Sequence, residues 1–124
     1  MKFRQLPQFD SWLKNLGKAW MEKDMDLIAA ICAKNVKYYE TPFGKPYTSP
    51  AAVKKLWQEV PNNQKDIKFK YDILAVTVTM GIVHWHAEYK RIKNNEKVIL
   101  DGIFQVKLNH QGLCTEFHQL WVVK

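Results

Sequence analysis

The stretch 98-VILDGIFQVKLNHQGLCTEFHQLWVVK-124 decides the fold. Val98, Leu100, Phe104, Val106 and Leu108 share one parity, with Gly102 completing the row. Beyond Asn109-His110-Gln111-Gly112, the residues Leu113, Phe117 and Trp121 do the same, with Thr115 and Gln119 between them. Period-2 alternation on both sides of a glycine-containing turn is the signature of a β-hairpin, Val98–Asn109 against Leu113–Lys124. One face of it must be covered, because leaving that row in water costs more than strand pairing returns. The rest of the chain supplies the cover.

Upstream, Ile82–Ile92 alternates with Val83, Trp85, Ala87 and Tyr89 on one face, and Ile67, Phe69, Tyr71 and Ile73 mark another strand. The turns fall at Thr79-Met80-Gly81 and Lys93-Asn94-Asn95-Glu96. Further back the period changes. Phe9, Trp12, Leu13, Leu16 and Trp20 recur at helical spacing, with Asp10 or Ser11 as the expected cap. Gly17 within that helix allows close approach of another element. Asp24 opens a short second helix with Leu27, Ile28, Ile31 and Cys32 as its stripe, and Asn35 suits its end. Val36–Thr41 reads as a strand stopped by Pro42. Ser49-Pro50 starts a third helix that buries Val53, Leu56, Trp57 and Val60 and ends at Pro61-Asn62-Asn63. Helix, helix, strand, helix and then four strands predict an α+β fold in one domain spanning 1–124.

Composition narrows the function classes. A chain of 124 residues with 47% apolar and 13% aromatic residues can bury a core and is not disordered. No run approaches the roughly 20 apolar residues of a membrane helix, and the opening residues lack the apolar stretch of a signal peptide. Cys32 and Cys114 stand alone in apolar surroundings and read as reduced thiols, which predicts a cytoplasmic protein. The net charge of +7 raises the question of nucleic acid. The lysines are scattered, however, and Lys68 and Lys70 alternate with apolar residues, so a solvated basic surface is the expectation. No phosphate-binding glycine loop, nucleophile elbow or Cys–His pair occurs, and no cofactor is expected.

The order of elements and the residues at its joints resemble the nuclear transport factor 2-like superfamily, in particular its SnoaL-like and ketosteroid-isomerase-like branches. The resemblance is carried by Trp12 and Trp20 in the first helix, Asp24-Met25-Asp26-Leu27 and Tyr39-Glu40-Thr41-Pro42-Phe43-Gly44. It continues through Ala51-Ala52-Val53 with Trp57, Val83–Tyr89, Leu100–Phe104 and a last strand reaching Trp121. It implies a strongly curved antiparallel sheet wrapped around three helices into a cone, an apolar pocket at the open end, and a homodimer through the outer sheet surface.

The same resemblance implies where chemistry would sit. The base of the isomerase-like branch falls on Thr41, with Glu40 beside it and directed to the other face unless a bulge or the turn at Pro42 brings it inward. The oxyanion-stabilising acid falls on Phe104. Asp101 is the nearest acid, and a bulge at Gly102 would turn it into the cone. Asp101, then Glu40, are therefore the candidate catalytic residues. Trp12, Trp20, Tyr39, Thr41, Trp57, Trp85, Tyr89, Phe104, Phe117, Gln119 and Trp121 are the candidate ligand contacts, with Tyr39 or Gln119 orienting the ligand. His84, His86 and Glu88 share the opposite parity, with Glu116 and His118 on the matching parity of the last strand. They are expected on the outer sheet surface, with no metal. The expected ligand is a small hydrophobic molecule handled by cofactor-free acid–base chemistry; the alternative is a non-catalytic homodimeric protein-binding module.

Overall fold

The computed structural model describes residues 2–124. Two helices, α1 (Lys2–Glu22) and α2 (Met25–Ala30), lead into strand β1 (Cys32–Tyr39). A third helix, α3 (Pro50–Trp57), is followed by a single helical turn, α4 (Glu59–Asn63). Four strands complete the chain: β2 (Gln64–Val76), β3 (Met80–Arg91), β4 (Lys97–Leu108) and β5 (Cys114–Val123). The fold is α+β, a curled sheet of order β1-β5-β4-β3-β2 closed around the helices.

β2 to β5 are successive antiparallel neighbours. β1 departs from the all-antiparallel expectation by pairing parallel to β5. A parallel partner requires a long crossover, and here every other element of the sheet lies between the two strands. The core forms where the inner faces of β3, β4 and β5 meet α1. Phe9, Leu13, Leu16, Val83, Phe104 and Phe117 are all essentially inaccessible there.

Local sequence explains most boundaries. Asp24 Oδ1 accepts the Leu27 N–H at 3.1 Å, and Ser49 Oγ accepts that of Ala52 at 3.1 Å with Pro50 behind it, so both caps form. The β4–β5 turn closes on Asn109, whose Oδ1 accepts from Gln111 N and Leu113 N, while Gly112 takes φ +76°. Gly17 does admit a neighbour: a Cβ there would lie 2.9 Å from the Phe69 ring.

Several boundaries differ from expectation, among them the third helix, which breaks at Gln58 into α3 and α4. α1 begins at Lys2 and runs through Asp10 and Ser11. Asp10 instead binds the Tyr71 hydroxyl at 2.6 Å and Lys14 at 3.1 Å, which ties α1 to β2. Asn35 lies inside β1 rather than at a helix end, because α2 stops at Ala30. In β5 the pairing steps from Lys107–Glu116 to Leu108–Cys114, leaving Thr115 as an extra residue. This bulge turns Cys114 inward in place of Leu113 and Thr115.

Candidate functional site

The curled sheet and the α3–α4 segment enclose a cavity of about 220 Å³. Its walls are aromatic because the inward parities of β1, β3 and β4 meet α1 and α3 there. Trp85 stacks on Phe104 with centroids 4.9 Å apart, and Trp20 stands edge-on to Trp57 at 5.2 Å. Tyr38, Tyr89 and Leu100 extend the walls, and the exposed Trp121 and Val123 mark the open side. A cavity of about 150 Å³ holds benzene, so this one has room for a flat molecule of roughly ten heavy atoms.

Few polar groups interrupt the walls: Glu40, Glu59, Gln64, Arg91 and Gln119. Glu40 is half-buried at the rim, where the cavity passes into a shallow outer groove bordered by Thr41, Pro42 and Trp121. Burial raises its pKa above the ordinary glutamate value, and the negative charge of Glu59 raises it further. Burial likewise raises the phenol of Tyr89. Two tryptophans spend their N–H groups on cavity residues, Trp20 on Gln64 Oε1 at 2.9 Å and Trp57 on the Tyr38 hydroxyl at 3.1 Å. Trp85 Nε1 is buried without a partner among the described residues. It rests against Gly102, where a Cβ would come within 2.9 Å of it.

Of the residues singled out from the sequence, Trp20, Glu40, Trp57, Trp85, Tyr89 and Phe104 come together on this cavity, joined by Gln119 and Trp121. The others do not. Trp12 is core, its indole donating to Ile31 O at 2.9 Å, and Phe117 is buried beneath Tyr38 in a stack of 4.3 Å. Tyr39 points away from the cavity and stacks on His118 at 4.3 Å, and Thr41 Oγ1 accepts the Gly44 N–H. The reason is strand parity: Val36 and Tyr38 are buried, so Glu40 follows them inward and Tyr39 goes outward.

Asp101 is also placed outside. The pairing of β4 runs unbroken through Gly102 on both sides, so the bulge that would have turned Asp101 inward is not formed. Its carboxylate bridges His84 Nε2 at 2.7 Å and His86 Nδ1 at 3.0 Å on the outer sheet face. His86 Nε2 meets Glu88 at 3.0 Å, and Glu88 meets Lys97 at 3.1 Å. These carboxylates raise the pKa of His86, Asp101 foremost, while the histidines lower that of Asp101. On β5, His118 binds Glu116 at 2.8 Å. Among the described residues no group of three or more His, Cys, Asp or Glu side chains is arranged to hold a metal ion. Among them, too, no helix is long and apolar enough to cross a membrane.

Tyr38, Glu59, Gln64 and Arg91 are among the cavity residues that sequence reasoning missed. Tyr38 was legible, since Lys37 between Val36 and Tyr38 already sets the parity. Gln64 stands among Asn62, Asn63 and Lys65, a polar run that reads as a helix end and gives no hint of burial.

Comparison with known proteins gives the same architecture. A conserved protein from Planctomyces limnophilus superposes with a TM-score of 0.82 at 11% identity, covering 99% of this chain and 100% of its own. A type 2 hexachlorocyclohexane dehydrochlorinase gives 0.79 at 8% identity, over 98% and 88%. The epoxide hydrolase/cyclase-like enzyme SalBIII, of pyran ring formation in salinomycin, gives 0.78 at 14% identity, over 91% and 89%. A search of curated proteins returns no match. The sequence model of the SnoaL-like domain, however, matches residues 14–117. The chain therefore belongs to the SnoaL-like domain family, of nuclear transport factor 2-like fold.

Proposed function

We propose that the protein binds a small, flat, hydrophobic molecule in the aromatic cavity and moves a proton on it with Glu40, without a cofactor. The observation that carries this reading is the half-buried Glu40 carboxyl on an aromatic wall, its pKa raised by burial and by Glu59. A carboxyl so poised exchanges protons more readily near neutral pH than an ordinary glutamate does. Trp20, Trp57, Trp85 and Phe104 hold the ring system, with Tyr89, Gln119 and Trp121 toward the open side. As base, Glu40 takes a proton from carbon next to a carbonyl; as acid, it returns one elsewhere on the same molecule. Fold neighbours named as a dehydrochlorinase and an epoxide hydrolase/cyclase-like enzyme support chemistry of this class.

The test is deuterium exchange at the carbon next to the carbonyl of 1-indanone and 1-tetralone in D2O, followed by NMR. The wild type is expected to accelerate exchange and Glu40→Gln to lose the acceleration while keeping its fold. No acceleration by the wild type would overturn the enzymatic reading; full activity in Glu40→Gln would remove Glu40 from it.

One observation favours a second reading, a homodimeric binding module. Leu120 and Val122 are 59% and 69% exposed on the outer face of β5, beside Ile103 and the His84–Asp101 pair. Sedimentation of the wild type and of Leu120→Lys decides it: a dimer lost in the variant supports this face as an interface, and a monomeric wild type refutes it.

A further inference from the structure

β1 and β5 separate before β5 ends. Their parallel pairing closes at Tyr39–His118, while β5 continues to Val123 against β4. The chain leaves because Pro42 has no N–H to offer a sheet and because the turn at 41–44, where the Gly44 N–H donates to Thr41 Oγ1 at 3.1 Å, reverses its course. It returns on the far side of β1, where Tyr47 and Tyr38 exchange both backbone hydrogen bonds at 2.9 Å. Over residues 119–123 the edge of β5 that faces β1 therefore has no strand partner among the described residues.

The separation opens a seam in the curled sheet. Glu40, Gln119 and Trp121 line both the aromatic cavity and the outer groove, so the two spaces are continuous past these three side chains. Alternation along β5 sends Gln119, Trp121 and Val123 to the cavity and Leu120 and Val122 to the groove. Pro42 and Ile103 complete the apolar lining of the groove. Its charged groups are Glu40, Asp101 and His84, and His84 Nε2 is spent on Asp101 at 2.7 Å. An apolar groove beside two carboxylates favours an uncharged alkyl chain and disfavours an anion.

Resting on the cavity reading above, we infer that the ligand is an aryl group bearing an uncharged alkyl chain, which leaves the cavity past Glu40 and lies in the outer groove on Leu120 and Val122. Size requires the exit. The cavity has room for roughly ten heavy atoms, which a ring and the first atoms of its substituent fill. The carbon that crosses the seam passes Glu40, so the chain also selects which proton that carboxyl meets.

The probes are acetophenone and heptanophenone, which differ only in the length of the alkyl chain, and the analogue of heptanophenone whose chain ends in a carboxylate. Each is titrated into the whole protein and followed by NMR. Acetophenone shifts the indole signals of Trp20 and Trp57; heptanophenone shifts these and the methyl signals of Leu120 and Val122. Heptanophenone binds about thirtyfold tighter than acetophenone, about twofold for each added methylene half-covered by the groove. The carboxylate analogue loses most of that gain. Leu120→Ser combined with Val122→Ser brings the affinities of the two ketones to within about threefold of each other. Equal binding of the two ketones, with the Leu120 and Val122 methyls silent, overturns this inference and leaves the cavity reading standing. A gain with chain length that survives in the double variant overturns it too, because the chain then lies elsewhere. A wild type that sediments as a dimer and shows no gain overturns it in favour of a second copy on the same two side chains. Neither ketone binding the wild type overturns the cavity reading and this inference with it.

Discussion

Gly102 is the position at which one methyl group should do the most damage. It sits in β4 opposite Trp85 of β3 and Trp121 of β5, with strands on both sides. A Cβ added there would lie 2.2 Å from the Leu120 carbonyl oxygen and 3.0 Å from Trp121 Cα, both backbone atoms, and 2.9 Å from Trp85 Nε1. No rotamer change relieves contacts with backbone. Restoring ordinary separation needs a shift of about 1 Å between two hydrogen-bonded strands, which strains the β4–β5 ladder on either side. Overpacking of well-filled sites costs about 1–3 kcal/mol, and a contact that only the main chain can yield belongs at or above the top of that range. About 3 kcal/mol corresponds to a melting temperature lower by about 12 °C for a chain of this size. Thermal unfolding followed by circular dichroism measures it. Two controls separate the causes. Gly112→Ala meets nothing within 4 Å and pays only for its φ of +76°, so it should cost about 1 kcal/mol. Gly17→Ala meets the side chains of Phe69 at 2.9 Å and Met21 at 3.7 Å rather than backbone, and should fall short of Gly102→Ala. A Gly102→Ala protein melting within about 3 °C of the wild type would refute the close approach and, with it, the sealing of Trp85.

Other perturbations follow from single groups. α1 ends in a paired-bond cap, Asp24 N to Ala19 O at 2.8 Å and Lys23 N to Trp20 O at 3.2 Å, with Lys23 at φ 58° where glycine is favoured. Lys23→Gly should therefore stabilise by about 1 kcal/mol in a denaturant titration, and a loss of stability would contradict the cap. Glu40 has a folded pKa above its unfolded one, so ionising it opposes folding as pH rises past the ordinary glutamate value. Glu40→Gln should melt higher than the wild type at pH 7.5 and match it at pH 4; a gap independent of pH speaks against burial as the cause. His86 shifts stability with pH in the same direction, but here it is the charged form that the fold favours. Its raised pKa lends stability that is complete below the ordinary histidine value and lost as pH rises through the folded one. His86→Gln should flatten the fall in melting temperature between pH 6 and 9, and an unchanged slope would count against the Asp101–His86–Glu88 chain.

How far the fold was legible depended on how much contrast each pattern carried. β2 and β3 alternate lysine or histidine with large apolar groups, and Asp24 and Ser49-Pro50 are unambiguous caps, so both strands and the starts of both helices form as read, although β3 begins at Met80 within the expected turn and both helices end early. β5 is different: Leu113, Cys114 and Thr115 can each face either way, and only the pairing with β4 reveals the extra residue. In β1 the pairs Tyr38-Tyr39 and Glu40-Thr41 put similar chemistry on both faces, so the choice of cavity residue turned on Val36 and Lys37. The site was less legible than the fold. Asp101 beside Gly102 looks like an acid at a bulge, yet Gly102 is small because Leu120 and Trp85 crowd it, while the strand runs on undisturbed. Gln64 could not be read at all, since its significance lies in a hydrogen bond to a residue forty-four positions away.

The parallel pairing of β1 with β5 also bears on how the chain is made. Cys32 leaves the ribosome about 80 residues before Cys114, the residue it pairs with, so β1 waits without a neighbour while β2, β3 and β4 zip together locally. During that interval the inner flank of β4 and the whole of β1 present unpaired edges, the kind of surface that recruits chaperones or foreign strands. β5 then satisfies both in a single event, docking between them. Synthesis stalled before residue 114 would leave a growing chain with two open edges, and aggregation should concentrate in that window of translation.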